Sequence, residues 1–402
     1  MIYAVPTIET EERAALHRID QLRLKLRHYV ATEPRRWVGS VRRVLSARAI
    51  QGSNSIEGYN VSVEDAVAAI EGDDPAEART EDWYAVVSYR RAMTYVLQLA
   101  QDEHFSYSSG LLRSLHFMMT EYTFDASPGL WRPRGIWIRN DATGEIVYEG
   151  PDYEMVPSLI DELVEQLDSC PDEHPLVRGA MAHLNLAMIH PFRDGNGRMA
   201  RCLQSLVLAR EGILAPEFSS IEEYLGANTS DYYAILAEVG QGVWNPQHDA
   251  RPWVRFCLTA HYVQATSVLR RVQESEQIWN ACEELANVNG LHYRCTGGLF
   301  DATLGLRVRN SAYRASLRGW EDISHGVATS DLGAMVRAGL LEKKGAKRGT
   351  YYIGAGDLIE VRRRYLAGRQ KIDTTRLFEP LRPGETNAPQ LPFGQYQNGD
   401  AP

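Results

Sequence analysis

His190-Pro191-Phe192-Arg193-Asp194-Gly195-Asn196-Gly197-Arg198-Met199-Ala200-Arg201 is the stretch whose reading decides this chain. An apolar-periodic segment precedes it and another follows, so it reads as a helix, a short polar loop and a second helix. Gly195 and Gly197 let the backbone turn through positive φ and approach a ligand without a Cβ in the way. A helix beginning near Asn196 adds unpaired N–H donors and a positive dipole end, which suits phosphate. Arg198 and Arg201 are three apart and share a helix face, within reach of one polyphosphate. Asp194 is a hard oxygen ligand suited to magnesium beside phosphates. His190 ends the first helix and can take a proton from a hydroxyl near neutral pH. Together these residue types suit attack on a nucleotide phosphate by positioning and electrostatics.

The stretch resembles the signature of the Fic family, His-x-Phe-x-Asp/Glu-Gly-Asn-Gly-Arg-x-x-Arg, and matches it at every position. The resemblance implies a mainly α fold: a Fic-type helical core with a small β-hairpin flap. It implies transfer of AMP from ATP, with Mg2+, to a Ser, Thr or Tyr hydroxyl of a protein target. His190 would be the general base and Asp194 the metal ligand. Gly195, Asn196 and Gly197 would form the anion hole, Arg198 and Arg201 would hold phosphates, and Phe192 would anchor the loop. Asn185, on the helix before the loop, and Asn228, in the segment Glu222 to Tyr233, are further nucleotide-binding candidates. Related Doc-type proteins carry Lys where Gly197 stands and transfer the terminal phosphate, so Gly197 favours AMP transfer.

Upstream, Ser53-Asn54-Ser55-Ile56-Glu57-Gly58 resembles the Fic inhibitory motif. The resemblance implies that Glu57 pairs with Arg201 and prevents productive seating of the γ-phosphate. A carboxylate on that guanidinium occupies the fork a phosphate needs. Ser53 and Glu57 are one helical turn apart, and Gly58 reads as the residue that stops the helix. Pro128-Gly129 breaks the helical pattern, and short strands are expected at Arg134 to Ile138 and Ile146 to Tyr148. The resemblance makes this hairpin the flap that holds a target segment by strand addition, with Ile146, Val147 and Tyr148 as target contacts.

The chain has 402 residues, 44% hydrophobic and 24% charged, with net charge −9. That is ordinary globular composition with room for several domains. No apolar run reaches membrane-spanning length. The start, Met1 to Pro6, lacks a basic region followed by an apolar core, so no secretory signal is expected. Five scattered cysteines without a Cys-x-x-Cys spacing suggest neither disulfides nor zinc and fit a reducing cytoplasm.

Charge is uneven. Residues 300 to 371 hold 14 Lys and Arg against 7 Asp and Glu. A helix at Leu306 to Leu317, a second at Val327 to Leu341 with Thr329 or Ser330 as N-cap, and the basic hairpin Glu342 to Ile353 resemble a winged helix-turn-helix module. Such a module implies DNA contact, with Lys343, Lys344, Lys347, Arg348 and Arg362 to Arg364 on phosphates. The expected divisions are 1–100, helical with the inhibitory segment; 101–245, the catalytic core; 246–295, a helical linker; 296–372, the winged module; and 373–402, a flexible tail. A DNA-binding regulator that uses the Fic core as a nucleotide sensor is the alternative to the enzyme. Homodimerisation stays open.

Overall fold

The computed structural model describes all residues except 32–34, 76–78, 140–142, 170–172, 213–214, 319, 367–369, 383 and 386–402. The first four helices are α1 (Thr10–Ala31), α2 (Val38–Ile56), α3 (Val63–Glu71) and α4 (Glu81–Leu99), followed by α5 (Ser109–Thr120). Local chemistry sets several of their ends. Ser62, Thr80 and Ser108 accept from the N–H three residues on, at the starts of α3, α4 and α5; each such cap is worth about 1 kcal/mol. Gly58 and Gly72 stop α2 and α3 in the left-handed region, at φ 84° and 77°.

Strands β1 (Trp137–Arg139) and β2 (Ile146–Glu149) then form an antiparallel hairpin, with Trp137 opposite Glu149 and Ile138 opposite Tyr148. The first strand therefore lies slightly later than expected. Next come α6 (Val156–Ser169), α7 (Pro175–Ile189), α8 (Asn196–Arg210), α9 (Pro216–Ser219), α10 (Glu222–Ala227) and α11 (Thr229–Gly240). The long α12 (Arg251–Val288) leads to α13 (Cys295–Thr303), α14 (Asn310–Leu317), α15 (His325–Arg337), a hairpin of β3 (Leu341–Lys344) and β4 (Tyr351–Gly354), and α16 (Asp357–Leu366). Val308 adds an antiparallel bridge to Tyr352 beside that hairpin. The fold is mainly α with two small hairpins.

Three large apolar clusters, and a small one of Ala47, Ala66, Val67 and Leu306, hold the described residues together. One joins α4 to α8, with Phe192 and Met199 inside it. A second joins α2 and α12 to the C-terminal helices and hairpin. A third joins α1, α7, α11 and α12. Helix α12 therefore serves two cores, burying Trp253 and Cys257 in one and Val268 and Cys282 in the other. It is a spine, where a linker was expected.

Two more expectations change. Helix α15 begins four residues before Thr329: Ser324 caps it by accepting from Val327 N–H. The Thr329 hydroxyl donates back to the carbonyl of His325, the bond of a residue inside a helix. The expected flexible tail is docked over 373–382 and 384–385. Leu377 is buried, and Arg18 of α1 donates to the carbonyls of Arg376, Leu377 and Glu379 and pairs with Glu385. An apolar side chain and a fork of donors hold what composition alone reads as loose; 386–402 lie outside the described residues.

Candidate active site

The loop between α7 and α8 is built by its own residues. His190 closes α7 in the left-handed region at φ 50°, its N–H on the carbonyl of Leu186. That conformation is uncommon for a side-chain-bearing residue and shows that the turn is held from outside. Arg132 does much of the holding. Its guanidinium donates to the carbonyls of His190, Arg134 and Pro151, which ties the loop to the flap. Asn196 spends its side-chain amide on both backbone groups of Phe192. Phe192 is fully buried, with its ring stacked on His116 at 3.7 Å. His116 accepts from Gly129 N–H and donates to the carbonyl of Asp194. Burial lowers its pKa to about 4 despite that bond, so it stays neutral.

Gly195 takes φ 74° and α8 starts at Asn196. The first bond of that helix runs from Met199 N–H to the Gly195 carbonyl. The N–H groups of Asn196, Gly197 and Arg198 therefore have no carbonyl one turn below them. Asp194 is exposed; one carboxylate oxygen accepts from Gly195 N–H at 2.6 Å.

His190 is half-buried and its Nδ1 lies 3.2 Å from the carbonyl of Ala187. A carbonyl only accepts, so Nδ1 carries the proton and Nε2 keeps its lone pair. Burial lowers the pKa to about 4 against the opposing pull of the Ala187 bond and Glu57. The ring is thus a neutral base at neutral pH.

Arg198 and Arg201 are buried. Arg198 reaches the Tyr122 hydroxyl at 3.3 Å and lies over the Tyr59 ring. Arg201 donates from Nε to Ser53 Oγ and from Nη2 to the Ser53 carbonyl and to Glu57 Oε1, the last at 2.7 Å. Among the described residues, Nε and Nη2 of Arg198 and Nη1 of Arg201 are buried donors without an acceptor. Burial works against ionising Glu57, but the charge and hydrogen bond of Arg201, helped by Arg198, hold its carboxyl below the ordinary range. A Cβ on Gly197 would collide with Glu57 Oε1 and lie 3.0 Å from Arg201 Nη1. The Glu57 carboxylate therefore lies directly against the start of α8.

The other expected residues divide. Asn185 accepts from Tyr3 N–H at 2.8 Å and donates to the Tyr3 carbonyl. Fully buried, it pins the first residues to α7 instead of facing a nucleotide. Tyr148 is also turned inward, its hydroxyl donating to the carbonyl of Met188. It fastens the flap to α7 because strand alternation sends its side chain opposite to that of Val147. Of the three expected contacts, Ile146 and Val147 are exposed, as is Trp137 on β1. Asn228 joins α10 to α11, its side chain bonded to the carbonyl of Tyr224. Tyr233 reaches the carbonyl of Ile56, next to Glu57. Arg132, His116, Tyr59 and Tyr122 escaped the sequence reading, since none stands at motif spacing to the loop.

The site's donors fit a nucleoside triphosphate: three backbone N–H groups at a helix start and three unfilled guanidinium donors beside them. Beside them Asp194 supplies one exposed carboxylate, an oxygen ligand of the kind magnesium takes together with phosphate oxygens.

Comparison with known proteins agrees with this geometry. Residues 106–208 match the profile of the Fic/DOC family. The protein adenylyltransferase fic-1 of Caenorhabditis briggsae is 34% identical over 116 residues, which is 27% of this chain and 20% of that protein. A protein adenylyltransferase Fic of Nematostella vectensis is 37% identical over 83 residues, 21% of this chain and 17% of that protein. The matched segment thus spans about a fifth of the length of these relatives. Among solved structures, a Fic family protein from Desulfovibrio desulfuricans superposes with TM-score 0.54 at 21% identity, covering 88% of this chain and 98% of that one. No described helix is long and apolar enough to cross a membrane.

Proposed function

From the Fic domain that residues 106–208 form, we propose that this chain is a protein adenylyltransferase held in an inhibited state by Glu57. The observation that carries the proposal is the Glu57 carboxylate lying against Gly197 and Arg201, in a niche whose remaining donors suit phosphate oxygens.

The chemistry follows from the residues. The N–H groups of Gly197 and its neighbours, with Arg198 and Arg201, bind the phosphate chain of ATP and fix its orientation. The target's Ser, Thr or Tyr hydroxyl reaches the α-phosphorus beside His190. Nε2 takes the hydroxyl proton as the oxygen–phosphorus bond forms, the bond to the β-phosphate oxygen breaks, and pyrophosphate leaves. Asp194 would hold Mg2+, which when bound offsets the charge that builds on the leaving phosphates. The exposed edge of the flap at Ile146 and Val147 offers backbone groups to an extended target segment. With Glu57 in the niche, a γ-phosphate must compete with a carboxylate for Arg201, at a cost of like-charge repulsion.

The test is incubation of wild type, Glu57→Gly and His190→Ala with ATP labelled on the α-phosphate and magnesium, alone and with lysate proteins. Label on protein with Glu57→Gly, little with wild type and none with His190→Ala is expected. Absence of label with Glu57→Gly would overturn the activity. In a parallel incubation with ATP labelled on the γ-phosphate, label from that position alone would make the reaction phosphoryl transfer.

A further inference from the structure

Along its first half, the inhibitory helix α2 lines a cavity of 450 Å³ together with α12, the end of α13 and α16. Its apolar wall includes Val41, Val44 and Leu45 of α2 and Ile278 of α12. Four guanidinium groups, Arg48, Arg271, Arg362 and Arg363, share this space, and no carboxylate lines it. Arg48 and Arg271 clasp Glu223 of α10 from one side, Arg271 with two bonds of 2.6 and 2.7 Å. Glu360 pairs with Arg363 on the other. Two nearby carboxylates thus face four cations around an apolar hollow of small-molecule size. Like charges gathered at the rim of a low-dielectric space are relieved by a bound anion.

We infer that this cavity is a regulatory site for a small organic acid, an apolar body that ends in a carboxylate. The body fills the hollow against α2 and the head group takes the guanidinium forks. Ile359 and Arg362 also border a neighbouring cavity of 310 Å³, so a longer body has room to extend.

The site connects physically to Glu57. Arg48 stands on the same helix as Ser53, the helix that Glu57 caps. Glu223, its partner, sits on α10, where Gly226 packs against the backbone of Gly52 on α2: a Cβ on Gly226 would lie 2.7 Å from Gly52 Cα. A ligand carboxylate that draws Arg48 and Arg271 competes with Glu223 for their donors. It thereby loosens α10 from α2 and weakens the hold of α2 on the loop. This consequence rests on the inhibitory reading of Glu57; the binding itself does not.

Calorimetric titration of the whole chain with decanoate, decanol and decyltrimethylammonium, below their micelle concentrations, tests the site. Decanoate is expected to bind one to one, about tenfold tighter than decanol, with no heat from the cation. Arg362→Ala should weaken decanoate about tenfold, and Ile359→Trp, at a half-exposed position on α16, should abolish it by filling the opening. No decanoate binding, equal affinity for decanol, or affinity unchanged in both variants would overturn the site. Amide exchange reads the connection independently of any transfer activity. Decanoate should speed exchange at residues 53–59 and 222–228 severalfold, and unchanged exchange in the presence of bound decanoate would overturn the regulatory link. Failure of Glu57→Gly to label proteins would strike the proposed activity and leave both readouts standing.

Discussion

Glu57 Oε1 lies where a side chain on Gly197 would stand, 2.7 Å from Nη2 of Arg201. A glycine at the start of α8 thus makes room for a carboxylate at the end of α2, 144 residues before the arginine it pairs with. On the proposed inhibitory reading, the same glycine would leave the niche open to phosphate once that carboxylate withdraws.

Glu57→Gly should therefore raise AMP transfer by roughly five- to 150-fold, the usual range for coupling of about 1–3 kcal/mol between two sites. Incorporation of α-labelled phosphate per minute measures it. Because burial holds His190 near pKa 4, the rate of that variant should stay flat from pH 8 to 6 and fall only as the imidazole protonates.

Gly197→Ala separates the two tenants of the niche. The added methyl collides with Glu57 Oε1 and crowds Arg201 Nη1, so it expels the inhibitor and obstructs the phosphate together. Loss of transfer of at least about tenfold is expected even in the Glu57→Gly background, since a small misplacement of reacting groups costs one to two orders of magnitude. Activity equal to that of Glu57→Gly alone would show that phosphate does not use this space.

Glu222 gives stability a pH dependence of definite sign. It is buried, with its carboxyl accepting from Ser205. Burial pushes its pKa up to about 7 against the pull of Arg201. Between the ordinary carboxyl value and about 7, the folded chain holds a proton that the unfolded chain has lost, so stability falls as pH rises through that window. His183 and His116, lowered by burial to about 3 and 4, act in the opposite sense below their ordinary value. Comparing wild type with Glu222→Gln cancels them. The variant should gain on wild type from pH 5 to pH 8, by up to about 3 kcal/mol, read as the difference in urea midpoints.

Gly52→Ala tests the crossing of α2 and α10. The new methyl would stand 2.5 Å from the carbonyl oxygen of Glu222, a backbone atom that cannot swing aside. Overpacking of this kind costs about 1–3 kcal/mol, and thermal unfolding should show it. Gly39→Ala, on the same helix with open space around its Cβ, should cost nothing.

Residues 325–337 and 341–354 form a helix and a hairpin with Lys343 and Lys347 exposed. If this unit binds duplex DNA, a mobility shift should weaken steeply with salt and disappear when Lys343, Lys344 and Lys347 are changed to Glu. A shift that survives both changes would assign DNA contact elsewhere or to none of these residues.

Much of the local structure was legible in the chain because its signals lie within a turn or two of what they control. Ser62, Gly58 and the glycines of 190–201 act on their own neighbours, and the periodicity of α7 and α8 is a property of each helix alone. The loop's shape and its proposed use as an anion-binding turn rest on twelve consecutive residues. The family resemblance pointed from Glu57 to Arg201, but nothing in the residues between them measures that distance. Asn185 looked like a nucleotide contact from its nearness to the loop; packing turned it to Tyr3, 182 residues away in the chain. Tyr148 looked like flap surface; the register of β2 sent it inward. The segment around Leu377 looked loose; Arg18 holds it across more than 350 residues of chain.

The sequence alone determined most of the helices, several of their caps and the loop that a phosphate would meet, since these depend on short-range backbone preference and on which residue types adjoin. Only the tertiary structure decided what fills that loop now, and which face each helix turns to it. Those depend on how closely backbones such as those of Gly52 and Gly226 approach, and that is a property of two surfaces in contact, carried by neither segment alone.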